Sequence, residues 1–385
     1  MTARVTYDHL IKLKSEYGSN LDWVLPYTGD WHILKNVLPV FIQIYFDAGL
    51  KELASKHHRG ATLKVLTECS KFAITHRFFV QALEAILRHQ IASFFAYKSS
   101  GQPFDVEIFA LVLHIVTEIL DGQTENTDMT DGQPVIDEWK QICENNDKVF
   151  SAFTDEILQE FPAWRMEQSA KNQTFSFWDN FLYVDFMSYL GLYFSIRSRN
   201  WDLRNISLKK LVCLFHAFDK QNYQRLIPYH LADILTFPES VLQHLSNGCF
   251  SASISCRDMF SVALDEAHEM EINLKSKNAL NSFSQSSLAT LTYYLPFRAK
   301  SLHNFKSELN LEREEGMYHR ESTRSYIKTA ENTVCEYIQN LQSSSLFYSE
   351  SNKNLHHIFT GTETNTEQTD SLTHYRQYGE EDMQN

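Results

Sequence analysis

The sequence predicts a mainly helical protein, with a large helical domain over residues 1–340 and a small α/β portion near its N-terminus. Three observations carry this. Only 12 glycines and 8 prolines punctuate 385 residues, too few turn-formers for a sandwich or barrel. Apolar side chains at 34, 37, 38, 41, 44, 45 and 48 fall at helical spacing. One short run, Trp23-Val24-Leu25-Pro26-Tyr27, is rich in strand formers and ends in Gly29-Asp30-Trp31-His32.

Taken in order, residues 20–32 predict a strand, and a helix follows from Leu34, with Pro39 as a kink or first turn. Residues 62–97 predict one or two buried helices, because their apolar positions outnumber a single stripe. Phe104–Leu120 predicts another. The polar, acidic run 121–133 reads as a loop. Helices are expected again over 134–161 and 175–198, with two more over 201–235, the second opened by Asp219 or Asn222. Pro238-Glu239 reads as the first turn of the next. Residues 249–258 alternate in the strand manner, and a long helix covers 284–312. The segment 341–385 turns polar, and its last part holds six acids against one arginine, so it is expected to be a flexible acidic tail.

Composition narrows the function classes. The net charge of −13 gives no global field for nucleic acid. Arg197, Arg199, Arg204, Lys209 and Lys210 form a local basic cluster, the one patch that suggests weak DNA contact. Six scattered cysteines form no CxxC pair, and Cys213-Leu-Phe-His216 lacks a matching second pair, so no zinc is expected. The first residues lack a signal-peptide apolar region, and the longest apolar run, Ile108–Leu120, is too short to span a bilayer. The expectation is an intracellular protein, nuclear or cytoplasmic, with no membrane partner and with self-association open.

Two stretches carry candidate chemistry. Gly29-Asp30-Trp31-His32 sits where a strand passes into a helix, which suits either a catalytic acid or an ordinary helix cap. In "ALDEAHEMEINLKSKNAL", residues 263–280, Asp265, Glu269, Asn273 and Lys277 recur every four residues, with His268 beside the two acids. Carboxylates supply hard oxygen ligands for Mg²⁺ or Mn²⁺, and Asn and Lys supply donors to phosphate oxygens. The same ridge also suits a solvated helix face. Arg225 lies in the polar-aromatic turn Asn222-Tyr223-Gln224-Arg225, which either faces a ligand or ties two helices together.

The segments "LDWVLPYTGDWHILKN", "FDAGLKELA", "NWDLRNISLKKLVCLFHAFDKQNYQRLIPYHLADIL", "VALDEAHEMEINLKSK" and "YYLPFRAKSLHNFKSEL" follow one another in an order that resembles the transposon-derived animal family catalogued as domain of unknown function 6589 (DUF6589). The resemblance implies an RNase H-like transposase or integrase remnant around the α/β portion. Through it, Asp30, His32 and Glu269 become catalytic candidates, and Asp30, Asp265 and Glu269 candidate ligands of Mg²⁺ or Mn²⁺. Asn273, Lys277 and Arg225 become candidate substrate contacts. Met1–Val5 stands where that family carries an acidic strand end, which implies an N-terminal truncation and little turnover. Any residual activity would be metal-dependent DNA phosphoryl transfer. The alternative is a non-enzymatic helical interaction protein.

Overall fold

The computed structural model describes residues 3–21, 23–101, 144, 147–253, 259–270, 284–308, 324–347, 351–352 and 354–384. The helices expected at Phe104–Leu120 and the loop at 121–133 lie outside these residues.

Helices dominate, as the spacing predicted. The first is α1 (Ala3–Tyr17), followed by α2 (Asp30–Tyr45), α3 (Leu50–His57), α4 (Ala61–Thr67) and the long α5 (Phe72–Gly101). After the 102–143 segment come α6 (Asp147–Lys171), α7 (Gln173–Asn180) and α8 (Phe186–Ser198), the last two joined by a π-helical turn, Phe181–Asp185. Next are α9 (Trp201–Ala217), α10 (Tyr223–Ile234) and α11 (Glu239–His244). A two-residue antiparallel ladder pairs β1 (Ser251–Ala252) with β2 (Val262–Ala263), and α12 (Leu264–His268) follows at once. The remaining helices are α13 (Gln285–Glu308), α14 (Arg324–Leu341) and α15 (Thr366–Gln384).

The core is aromatic and centred on α2. Its residues Ile33, Val37, Leu38, Phe41 and Tyr45 are fully covered, by α8 and α9 on one side and α5 on another. Phe41 meets Phe79, Phe186 and Tyr189 with ring centroids 5.6–5.9 Å apart. Burying each such ring contributes about 2–3 kcal/mol. Pro39 sits inside α2. Tyr223, not Asp219, opens α10, with Asn222 before it, and Pro238 precedes α11.

Three expectations about local structure are corrected. Among the described residues of 20–32 there is no strand: a 3₁₀ turn, Gly18–Leu21, comes first, and the irregular run 23–29 ends at the first residue of α2. β-Formers at 23–27 are not enough, because a strand needs a neighbour and none of the described residues supplies one. The 341–385 tail holds a helix, α15, packed along α9. Its apolar and charged anchors are Tyr375 and Arg376, which reach the buried Asp185 in the π turn. Tyr45 of α2 bonds the same carboxylate at 2.5 Å. Finally, the region of Met1–Val5 is helical from Ala3 onward rather than the end of a strand.

No single helix among the described residues is long and apolar enough to cross a membrane.

Candidate functional site

Three of the residues singled out by sequence, Asp30, His32 and Asp265, meet at the N-terminus of α2, but they do different work. Gly29 is the N-cap residue, in extended backbone, and offers no side chain to the exposed N–H groups of the first turn. Asp265, from the start of α12, supplies the missing cap. Its Oδ1 accepts from Trp31 N at 3.2 Å and its Oδ2 from His32 N at 3.0 Å. The His32 ring closes the arrangement, with Nδ1 2.7 Å from the same Oδ2. A carboxylate at this end of a helix is also favoured by the macrodipole.

Asp30 turns the other way, into the core. Its carboxylate accepts a fork from Arg204 of α9, Nε at 2.8 Å and the second guanidinium nitrogen at 2.6 Å, and a third bond from the Tyr27 hydroxyl at 2.9 Å. Both ion-pair side chains are fully buried. The guanidinium lies over the rings of Tyr27 and Trp201, each 4.8 Å from its centre. It also donates to His230 Nε2 at 3.0 Å. Arginine can only donate, so this nitrogen of His230 accepts and the imidazole is neutral. Burial, reinforced by the Arg204 charge, holds its pKa well below the ordinary value. Burial pushes the Asp30 carboxyl up, while Arg204 pulls it back.

Asp30 and Asp265 each have their acceptors taken by protein donors, and among the described residues no cluster of three His, Cys, Asp or Glu side chains is placed to hold an ion. Glu269 follows the last residue of α12. Asn273 and Lys277 lie outside the described residues. Arg225 is exposed on α10, five residues before His230. Nearby, Asn36 bonds the Tyr223 hydroxyl at 3.0 Å. The basic cluster is divided: Arg204 is inside the molecule, Arg199 bonds Ser261 at 2.9 Å, and Arg197 bonds Tyr193 at 2.7 Å. The Cys213–His216 pair is divided too, with His216 on Asp382 of α15 at 2.8 Å.

Beside this junction lies a groove of about 610 Å³, which sequence reading did not find. Trp31 and Leu34 of α2 form one wall, Phe72, His76, Arg77 and Val80 of α5 a second, and Tyr193, Phe194 and Arg197 of α8 a third. Met259–Ser261 and Glu266 close one end, and Tyr326 and Ala330 of α14 border the opening. Its volume lies within the range of small-molecule sites, and it stands about half open to solvent. Phe194 and Met259 are 43% and 46% exposed at its rim.

The sequence model of one family, described as domain of unknown function (DUF8702), matches residues 8–385. The chain belongs to the DUF8702 family. That match corrects the resemblance to DUF6589, and the transposon origin and N-terminal truncation inferred through that resemblance fall with it. No curated protein and no solved structure matches this DUF8702 chain.

Proposed function

We propose that this DUF8702 protein is a non-enzymatic helical binding protein, and that it takes an apolar ligand in the groove between α2, α5, α8 and α14. The observation that carries the reading is the contrast between the two neighbouring features. At the α2 N-terminus, Asp30 and Asp265 spend their acceptors on Arg204, Tyr27, His32 and backbone N–H groups. One step away, an aromatic concavity stays open, with uncovered apolar side chains at its rim.

The test uses Nile red, a neutral apolar dye, and the variant Ala73→Trp. Ala73 is an exposed residue of the groove wall, so the larger ring fills the groove without entering the core. Saturable dye fluorescence with one site per chain, lost in Ala73→Trp at unchanged urea stability, is the expected result. Dye binding that Ala73→Trp leaves intact contradicts the reading.

A further inference from the structure

The charges that line the groove cancel. Arg77, Glu84, Arg197 and Glu266 belong to its walls. Glu84 is bound to Arg88 at 2.5 Å, and Arg88 also holds Glu331 at 2.6 Å. With these two included, three guanidinium groups stand against three carboxylates. Such a balance does little to offset the cost of taking an ion out of water, so the lining favours a neutral ligand.

One polar group in the lining has a fixed direction. The His76 ring is flanked by Phe72, centroids 5.5 Å apart and planes at 16°, and by Tyr193 at 4.4 Å. Its Nδ1 lies 2.7 Å from the hydroxyl of the fully buried Tyr189. Burial holds that phenol well above its ordinary pKa, so it keeps its proton. Among the described residues Nδ1 is the acceptor within reach of that proton, and a buried hydroxyl that donates to nothing is costly. Tyr189 therefore donates to Nδ1, and the neutral imidazole carries its own hydrogen on Nε2. The two nitrogens point away from each other across the ring. With Nδ1 turned into the core, Nε2 presents its N–H on the outer side, where His76 lines the groove. Burial also brings His76 down to about 4, which keeps the ring neutral at physiological pH.

We infer that the groove binds a neutral aromatic molecule bearing a carbonyl-type acceptor, with its rings among Phe72, Tyr193 and Trp31 and its acceptor on the Nε2–H of His76. This rests on the binding reading above and names the ligand class for the same groove. An apolar seat with a precisely placed polar group is how small-molecule sites fix orientation. The donor is locked before the ligand arrives, by ring contacts on His76 and by the Tyr189 bond, so little freedom is lost on binding. A two-ring ketone fits comfortably in about 610 Å³.

Displacement of Nile red from the full chain at neutral pH tests the inference, with 2-acetonaphthone, 2-isopropylnaphthalene, 2-naphthoate and 2-naphthylmethylammonium as competitors. The ketone should bind at least about tenfold more tightly than either ion. His76→Phe combined with Tyr189→Phe removes the donor and its buried partner together, so neither is left unpaired. In that variant the ketone should weaken about fivefold and the hydrocarbon should hold its affinity. In the unaltered protein, imidazole nitrogen shifts read by NMR should place the hydrogen on Nε2, and that signal should move with the ketone and not with the hydrocarbon. This second readout decides the matter if the double variant does not fold. Tighter binding of either ion overturns the inference. So do an equal loss of ketone and hydrocarbon, an unweakened ketone in the variant, and a hydrogen found on Nδ1. If Nile red seats in the groove and no naphthyl compound displaces it, the ligand class is wrong and the binding reading stands. If Nile red does not bind, both are wrong.

Discussion

Asp265 occupies the space that a side chain on Gly29 would need: a Cβ built on that glycine would lie 2.4 Å from the carboxylate Oδ2. Gly29 has φ −78° and ψ 111°, which any residue can adopt. What the position requires is therefore room and not backbone freedom. Gly29→Ala should displace the cap and cost about 1–2 kcal/mol, as should Asp265→Ala. The double variant should cost less than the two single losses summed, because the Oδ2 and Cγ at 2.4 and 2.8 Å are gone and only the Cβ that Asp265→Ala keeps, 3.0 Å away, still meets the added methyl. Urea unfolding of the three proteins checks this. Additive losses would contradict the steric account.

Stability should fall with acid in two steps. His76, held near 4 in the folded protein, is neutral there but takes up a proton near 6.5 once unfolded. Its contribution is complete above pH 6.5, is lost as pH falls toward 4, and reaches at most about 3 kcal/mol. Burial alone would raise the Asp265 carboxyl, yet the His32 and Trp31 hydrogen bonds outweigh it and hold the pKa below 3.8. That contribution is present above pH 3.8 and lost below it. His76→Gln should shrink the first step, which the neutral buried His230 shares, and leave the second, as read from urea midpoints at pH 7, 5 and 3.5.

The C-terminal helix should detach before the core unfolds if its contact with α9 is spoiled. A Cβ at Gly379 would come within 2.1 Å of the Cys213 carbonyl oxygen, an atom fixed in a helix backbone. Gly379→Ala must therefore lift α15, and amide exchange over 366–384 should quicken at least about tenfold. Arg376→Ala should destabilise more, by about 3–5 kcal/mol, because it leaves the Asp185 carboxylate buried against two tyrosines without its cation. Unchanged exchange in Gly379→Ala would contradict this.

The helices were legible wherever one face repeats. The apolar positions from Leu34 onward outline α2, and the runs at 62–97 and 201–235 divide into helices as read, because burial of a stripe is written locally. Partnerships were not legible. Val24–Tyr27 has strand-forming side chains, but no sequence rule says whether another strand will lie beside it. Asp265 reads as part of a polar ridge, since its real partners, the N–H groups of Trp31 and His32, are distant in the chain. One signal was available. Arg204 sits on the same face of α9 as Trp201, Leu208 and Leu211, and a lone cation on an apolar face implies a buried anion. The groove left no local trace, because five segments each contribute only a few of its residues.

The central claim is that the acid of Gly29-Asp30-Trp31-His32 holds the fold together through Arg204, and a double-mutant cycle on Asp30 and Arg204 tests it most directly. Asp30→Ala strands a fully buried guanidinium and should cost about 3–5 kcal/mol in urea unfolding, or prevent folding. Asp30→Leu with Arg204→Met, which removes both charges, should recover much of that loss. Stability within about 0.5 kcal/mol of wild type in Asp30→Ala would contradict the claim and return Asp30 to the list of functional acids.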